Sequence, residues 1–394
     1  MEERRTLKDL LTDAKDESEF MVDLAYAAVF FGDEAIAQEV LALEESMDEI
    51  VHELRTIAVL AGRSREDAEA LAGVMRLAGA MEKIADAAQD IARVVLKDLG
   101  VPPGLRDDLR HAEEAVARIR LRDENALEGK TLEELELPTH TGMQVIAVRR
   151  GVRFLFDING DTMIQAGDVL FVQGPEEGID LVRELAGAPP RHLQEPATRS
   201  MTGIDRAVDL IVEMKNATEV AVGLAYSAIL FRDKGLAAEV FAIEDKSDEM
   251  HHELERWVLR ATGEVEDPDE LRGLLHLAAA SERIGDAAQD MMRLVEHEGE
   301  IHPIIAEALS EADEIVAQAT VAEAAPAAGR TLRDLKMRTE TGLDVLGISR
   351  GGRWIYRPRA DFTLLAGDRI LAVGPEHGAE ALENLCGVVR EEED

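Results

Sequence analysis

The chain repeats itself at a spacing of 200 residues, and this limits what it can fold into. Leu24-Ala25-Tyr26 returns as Leu224-Ala225-Tyr226, and the run Glu82 to Asp90 (EKIADAAQD) returns as Glu282 to Asp290 (ERIGDAAQD). Ala166-Gly167-Asp168 recurs as Ala366-Gly367-Asp368, and Gly174-Pro175 as Gly374-Pro375. So long a period lies outside the range of solenoid repeats. The unit is a duplicated multi-domain segment, and the two copies are expected to build one pseudo-symmetric object in which any site occurs twice.

Each copy opens with helical periodicity. From Leu7 to Phe31 apolar residues recur three and four apart until Gly32-Asp33 stops the run. Asp33 is placed to cap a second helix bearing Ile36, Val40, Leu43, Met47, Ile50, Leu54 and Ile57 on one stripe, and Gly62 ends it. Ser64 and Asp67 have capping-box spacing and open a third helix running to about Leu99. A shorter helix is expected from Leu105 to about Ile119. In the second copy Asp233 again precedes the second helix, and Asp267-Pro268-Asp269-Glu270 opens the third. Three long helices with short connections predict an antiparallel bundle.

Near residue 130 the period shortens to that of strands. Met143 to Val148 and Val169 to Val172 are β-rich, Arg150-Gly151-Val152 reads as a turn between strands, and Gly174-Pro175 opens a short helix. The fold class is therefore α+β, mostly α: two antiparallel three-helix bundles, each followed by a small α+β module. The expected boundaries are 1–122 for the first bundle, 123–188 for its module, 189–202 for a Pro-containing linker, 203–322 for the second bundle and 323–389 for its module. Ala322 to Ala328 reads as the joint between the last two.

Among 394 residues, 81 acids face 43 bases, a formal charge of −38. Such a chain is a poor ligand for nucleic acid, whose binding depends on Lys and Arg neutralising phosphates, and for an anionic membrane surface. The acidic, Lys-poor composition suits a high-salt, halophilic cytoplasm, where screening removes self-repulsion; an ordinary acidic protein is the alternative. The single Cys386 excludes a disulfide framework. Met1-Glu2-Glu3-Arg4-Arg5 is followed by no apolar leader, and the most apolar runs, 20–31 and 220–231, are too short to insert into a bilayer, so the chain reads as cytoplasmic.

The small module, through Leu132, Gly142, Val145 to Gly151, Asp161, Ala166-Gly167-Asp168 and Gly174-Pro175 and their counterparts, resembles the TrkA-C domain, the C-terminal subdomain of RCK proteins that gate potassium channels and transporters. The bundle, through Glu282-Arg283-Ile284-Gly285-Asp286 and Glu82-Lys83-Ile84-Ala85-Asp86, resembles the phosphate-signalling PhoU family. No nucleotide-binding GxGxxG follows a strand, which separates the chain from full RCK subunits.

Glu82, Asp86 and Asp90 share one helix face by their four-residue spacing, and Glu44, Asp48 and His52 share another one helix earlier. If these faces converge, oxygen ligands of this kind suit Mg²⁺, Ca²⁺, Mn²⁺ or iron. The PhoU resemblance implies a divalent metal or iron at Glu44, Asp48, Glu82, Asp86 and Asp90, and at Glu244, Asp248, Glu282, Asp286 and Asp290. A solvated acidic face is the competing reading. The TrkA-C resemblance implies a cyclic dinucleotide or other small anion at the modules, where guanidinium groups of Arg149, Arg150, Arg153, Arg350 and Arg353 flank a turn. Pairing of these arginines with surface acids is the alternative.

No catalytic constellation, P-loop or HExxH is present, so no enzymatic activity is expected. The resemblances imply a cytoplasmic, ligand-sensing regulator of cation transport, with potassium as the ion and a membrane channel or transporter subunit as partner. A metal-binding regulator of phosphate uptake is the alternative. The modules pair within one chain or across a homodimer, and a homodimer is expected.

Overall fold

The computed structural model describes residues 5–101, 115–122, 125–135, 137–151, 153–155, 158, 160–174, 176–189, 203–263, 265, 268–296, 301–310, 312, 315–337, 341–351, 353–356, 358 and 360–387. Helices α1 (Leu7–Phe31), α2 (Glu34–Ala61) and α3 (Arg65–Leu96) form the first bundle. Their starts follow from side-chain caps. Thr6 and Asp9 close a capping box, Asp33 accepts the amides of Ala35 and Ile36, and Ser64 and Asp67 close a second box. Gly32, with φ at 59°, terminates α1 in the left-handed region.

The first module is a four-stranded antiparallel sheet of β1 (Ala115–Arg120), β2 (Gln144–Arg150), β3 (Arg153–Leu155) and β4 (Val169–Gly174), ordered β1-β4-β2-β3 and backed by α4 (Glu176–Leu185). The second repeat gives α5 (Gly203–Phe231), α6 (Lys234–Ala261), α7 (Arg272–Glu296) and a short α8 (Pro303–Ser310). Its module contains β5 (Ile315–Thr320), β6 (Asp344–Arg350), β7 (Arg353–Tyr356), β8 (Arg369–Gly374) and α9 (Glu376–Cys386) in the same topology.

Two local expectations differ from the structure. The helix expected over 105–119 has residues 102–114 outside the described residues, and 115–120 form a strand. Ala117, Ile119 and Leu121 are buried while Arg118 and Arg120 are not, a two-residue period too short to stand out from the preceding helical pattern. The sheet therefore begins before residue 123. The alanine-rich segment 322–328 is likewise part of the second module, where Ala322 and Ala327 donate to the carbonyls of Cys386 and Leu385 at the end of α9. The expected cap Asp267 and most of the linker, 190–202, lie outside the described residues; Pro268–Leu271 form a 3₁₀ turn ahead of α7.

Each sheet is covered on both faces. Ala147, Val169 and Phe171 join the bundle core, while Val148, Leu170 and Val172 pack in the module's own core with Ile179 and Val182 of α4. Burial on both faces is why Val169 to Val172 reads as an unbroken apolar run rather than an alternating one. The two bundles share one core, with α3 against α7. Their contacts are reciprocal, as expected for a duplication: Lys83 Nζ lies 2.5 Å from Asp290, and Arg283 lies 2.6 Å from Asp90, its equivalent from the other repeat. Among the described residues no helix is long and apolar enough to cross a membrane.

In both modules the C-terminal helix meets the segment just before the second strand through a glycine. A Cβ at Gly378 would lie 2.3 Å from the Thr341 carbonyl oxygen, and one at Gly178 would lie 2.2 Å from that of Thr141. Gly378→Ala is therefore expected to lower the stability of the second module by about 1–3 kcal/mol through overpacking, measured by urea denaturation.

Glu17 on α1 is buried and receives a hydrogen bond from Ser46, while its Oε1 has no partner; burial pushes its carboxyl up to about 8. A raised folded-state value means that the folded form holds the proton more tightly. This contribution to stability is present below the ordinary glutamate range and is lost as pH rises towards 8. Glu17→Gln should flatten the decline in stability between pH 5 and about pH 8, read from urea midpoints across that window.

Candidate functional site

The most distinctive polar arrangement lies between the bundles, on α1 and α5. Lys15 faces the core at a position of the helical stripe where an apolar residue would be expected, and it is 2% exposed. Its ammonium lies 2.6 Å from Glu19, one turn on, and 5.4 Å above the ring of Tyr226 from the other bundle. Lys215 repeats the arrangement with Glu219 and the ring of Tyr26, at 5.5 Å. A lysine buried this deeply keeps its charge only with a carboxylate and an aromatic face beside it. Both phenols are buried, which raises their ionisation well above the ordinary range. The Tyr26 hydroxyl lies 2.7 Å from Ser281 Oγ, and that of Tyr226 lies 3.5 Å from Ser18 Oγ.

These six residues, Lys15, Glu19, Tyr26, Lys215, Glu219 and Tyr226, line a cavity of about 570 Å³. Both modules also contribute. Gln144 and Gln173 come from the first sheet, while Leu332, Arg333, Lys336, Leu343 to Leu346 and the end of β8 come from the second module. Apolar walls with a few polar groups are the usual make-up of a small-molecule site. Motif and spacing arguments do not single out Lys15 and Lys215. The available signal was a lysine followed four residues later by glutamate, repeated at the 200-residue spacing in a chain with few lysines.

The candidate anion-binding arginines lie elsewhere. Arg150 forms a fork with the buried Asp168 at 2.9 and 2.8 Å and donates to the Met163 carbonyl. Arg350 does the same with Asp368 at 2.7 and 2.6 Å and with the Thr363 carbonyl. Each pair ties β2 or β6 to the turn before the last strand of its sheet. Arg149 reaches Glu39 on α2 at 2.9 Å, where Arg118 also binds at 3.2 Å, so these two pin the first module to its bundle. In the second repeat Ser349 stands at the Arg149 position, and the docking contact is made by Tyr356 donating to Glu239. Arg153 and Arg353 lie on strands, opposite Arg150 and Arg350; their side chains are outside the described ones.

The acidic faces of neighbouring helices do meet. Burial raises Glu44 and Asp86, with Asp48 adding repulsion to each; Glu244, beside Asp248 and Asp286, is pushed up to about 7, mainly by burial, and Asp286 is raised as well. Other members are engaged by cations or amides. Glu82 is held by Arg55 at 2.6 Å, Asp90 by Arg93 and Arg283, Asp290 by Lys83 and Arg293, and Glu282 by His251 at 2.5 Å. Gln289 donates to Glu244 at 2.6 Å. Among the described residues no three His, Cys, Asp or Glu side chains converge as a metal-holding group.

A family model described as the PhoU domain matches residues 11–95 and 211–295, and one described as the TrkA-C domain matches 116–187 and 316–387. The chain carries two PhoU domains alternating with two TrkA-C domains, regulatory modules rather than catalytic ones. An uncharacterized transporter of Synechocystis sp. is 35% identical over 80 residues, 20% of this chain and 13% of that protein, so the chain spans only a small part of that relative's length. Among solved structures, PhoU from Pseudomonas aeruginosa is 15% identical, with 73% of this chain and 93% of that chain covered and a TM-score of 0.40. The GsuK RCK domain is 13% identical, with 70% and 64% covered and a TM-score of 0.19. Similarity at this level carries no inference about activity.

Removing one member of a buried ion pair leaves the other uncompensated. Lys15→Ala should cost about 3 kcal/mol, the low end for such pairs because Glu19 keeps some contact with solvent. The double change Lys15→Met with Glu19→Leu should recover most of that loss. Urea denaturation of the three proteins checks both outcomes.

Proposed function

We propose that this chain is a cytoplasmic, ligand-responsive regulator of a cation transport system, with potassium as the cation and a membrane transporter or channel subunit as partner. One observation carries the reading: the walls of the 570 Å³ cavity come from both PhoU domains and both TrkA-C domains. A molecule bound there touches every domain. If it prefers one packing of the modules on the bundles, occupancy biases that packing, and a partner that contacts the modules reads the shift. The docking contacts at Glu39 and Glu239 are the hinges over which the bias acts.

The test is potassium uptake by cells that lack the chain, complemented with the wild type or with Glu39→Gln and Glu239→Gln together. Each substitution removes a charged hydrogen-bond acceptor and should cost roughly 1–2 kcal/mol, leaving the protein folded. The wild type is expected to restore regulated uptake and the double variant to leave it unregulated. Potassium uptake that is identical with and without the chain overturns the reading. A change in phosphate uptake alone would favour the alternative, a regulator of phosphate transport, for which the two PhoU domains speak.

A further inference from the structure

The two repeats diverge at the mouth of the central cavity. In the second module the turn after β5 carries Arg333 and Lys336, and both line the cavity while remaining exposed, so they mark its solvent edge. The first module has Glu133 and Glu136 at the equivalent sequence positions, and Glu133 does not line the cavity. Lys336 adopts positive φ, 48°, at the end of the single helical turn Leu332–Leu335. Neither Arg333 nor Lys336 makes a side-chain ion pair or hydrogen bond among the described residues, although acids outnumber bases 81 to 43 in this chain. Three of the nine lysines, Lys15, Lys215 and Lys336, line this one cavity.

Asp23 and Asp344 also line the cavity, but among the described residues no ion pair joins either of them to Arg333 or Lys336. The inner ammonium groups are held by Glu19 and Glu219, and the walls are apolar, with Val22, Phe30, Val222, Ile146 and Leu346 among them. The seat is also asymmetric about the pseudo-dyad. Gly223 lets Leu346 close against α5, where a Cβ would lie 2.7 Å from Leu346 Cδ1, whereas Asp23 occupies the equivalent point on α1 and lines the cavity.

We infer that the cavity binds one small amphipathic anion, its acidic head held by Arg333 and Lys336 and its apolar body laid along Val22, Val222 and Leu346. A guanidinium and an ammonium three residues apart on one turn suit a carboxylate or a phosphate ester, and the apolar part of the wall suits an attached hydrocarbon or ring. The inference rests on the ligand-responsive reading of the chain and supplies the class of ligand.

The test uses the full chain and the fluorescent probe 1-anilinonaphthalene-8-sulfonate, an aromatic body with one anionic head. Near-UV circular dichroism confirms that each protein is folded. Saturable binding of one probe per chain is expected. Arg333→Glu with Lys336→Glu, which installs the first repeat's residues at two exposed positions, should weaken it at least about tenfold. Glu133→Arg, at the equivalent position away from the cavity, should leave it unchanged. Displacement by decanoate but not AMP assigns a carboxylate lipid, and the reverse assigns a nucleotide. No saturable binding, or equal affinity in the double charge-reversal variant and the wild type, overturns the site. The readout contains no transporter, so failure here leaves the transport reading standing, and unregulated uptake with intact probe binding does the reverse.

Discussion

Everything else in the molecule is arranged around the packing of α3 on α7 and the side-chain contacts that join α1 to α5 across the cavity. These four helices bring together two halves of a duplicated chain and bury charged groups on both sides of the pseudo-dyad. A buried lysine is tolerable only with a carboxylate partner and a favourable ring face. In each half the carboxylate is local, four residues along the same helix, and the ring comes from the other half. Neither bundle alone can complete the set. The reciprocal pairs Lys83–Asp290 and Arg283–Asp90 add the same logic at the surface of α3 and α7, where solvent screening keeps each of them modest.

This junction places the modules. Each sheet gives one face to its own helix and the other to the bundles, so the TrkA-C domains continue the central core rather than hanging from it. The cavity is the space left where two helices and two sheets meet without filling the centre. The Lys15–Glu19 and Lys215–Glu219 pairs between the bundles lie in its lining, together with Arg333 and Lys336 of the second module.

The candidate sites show how repetition constrains and misleads. The acids at four-residue spacing sit on common helix faces as their sequence positions dictate, and neighbouring faces approach closely enough to raise Glu44, Asp86, Glu244 and Asp286. Which of them remain available was set by residues on other helices. Arg55, Arg283 and Lys83 neutralise Glu82, Asp90 and Asp290 from 27 and about 200 residues away. Similarly, Arg150 and Arg350 are the expected cations beside the expected turn, but the buried Asp168 and Asp368 occupy their forks. The aspartate of Ala-Gly-Asp, legible as part of a turn, is also the arginine's partner.

The sequence by itself determined the duplication, the three long helices of each bundle with their Asp33, Ser64 and Asp233 caps, and the change of period that begins a sheet. All of these rest on interactions within a few residues, or on direct comparison of the two halves. Strand β1 is not legible in the sequence because six residues of two-residue alternation carry little signal beside a long helical pattern. Only the tertiary structure decided that Lys15 and Lys215 face each other's bundle, that Glu39 holds the first module, and that Arg333 and Lys336 stand at the cavity edge. Those facts depend on contacts between elements far apart in the chain, and a side chain's role there is set by what packs opposite it, which local periodicity does not record.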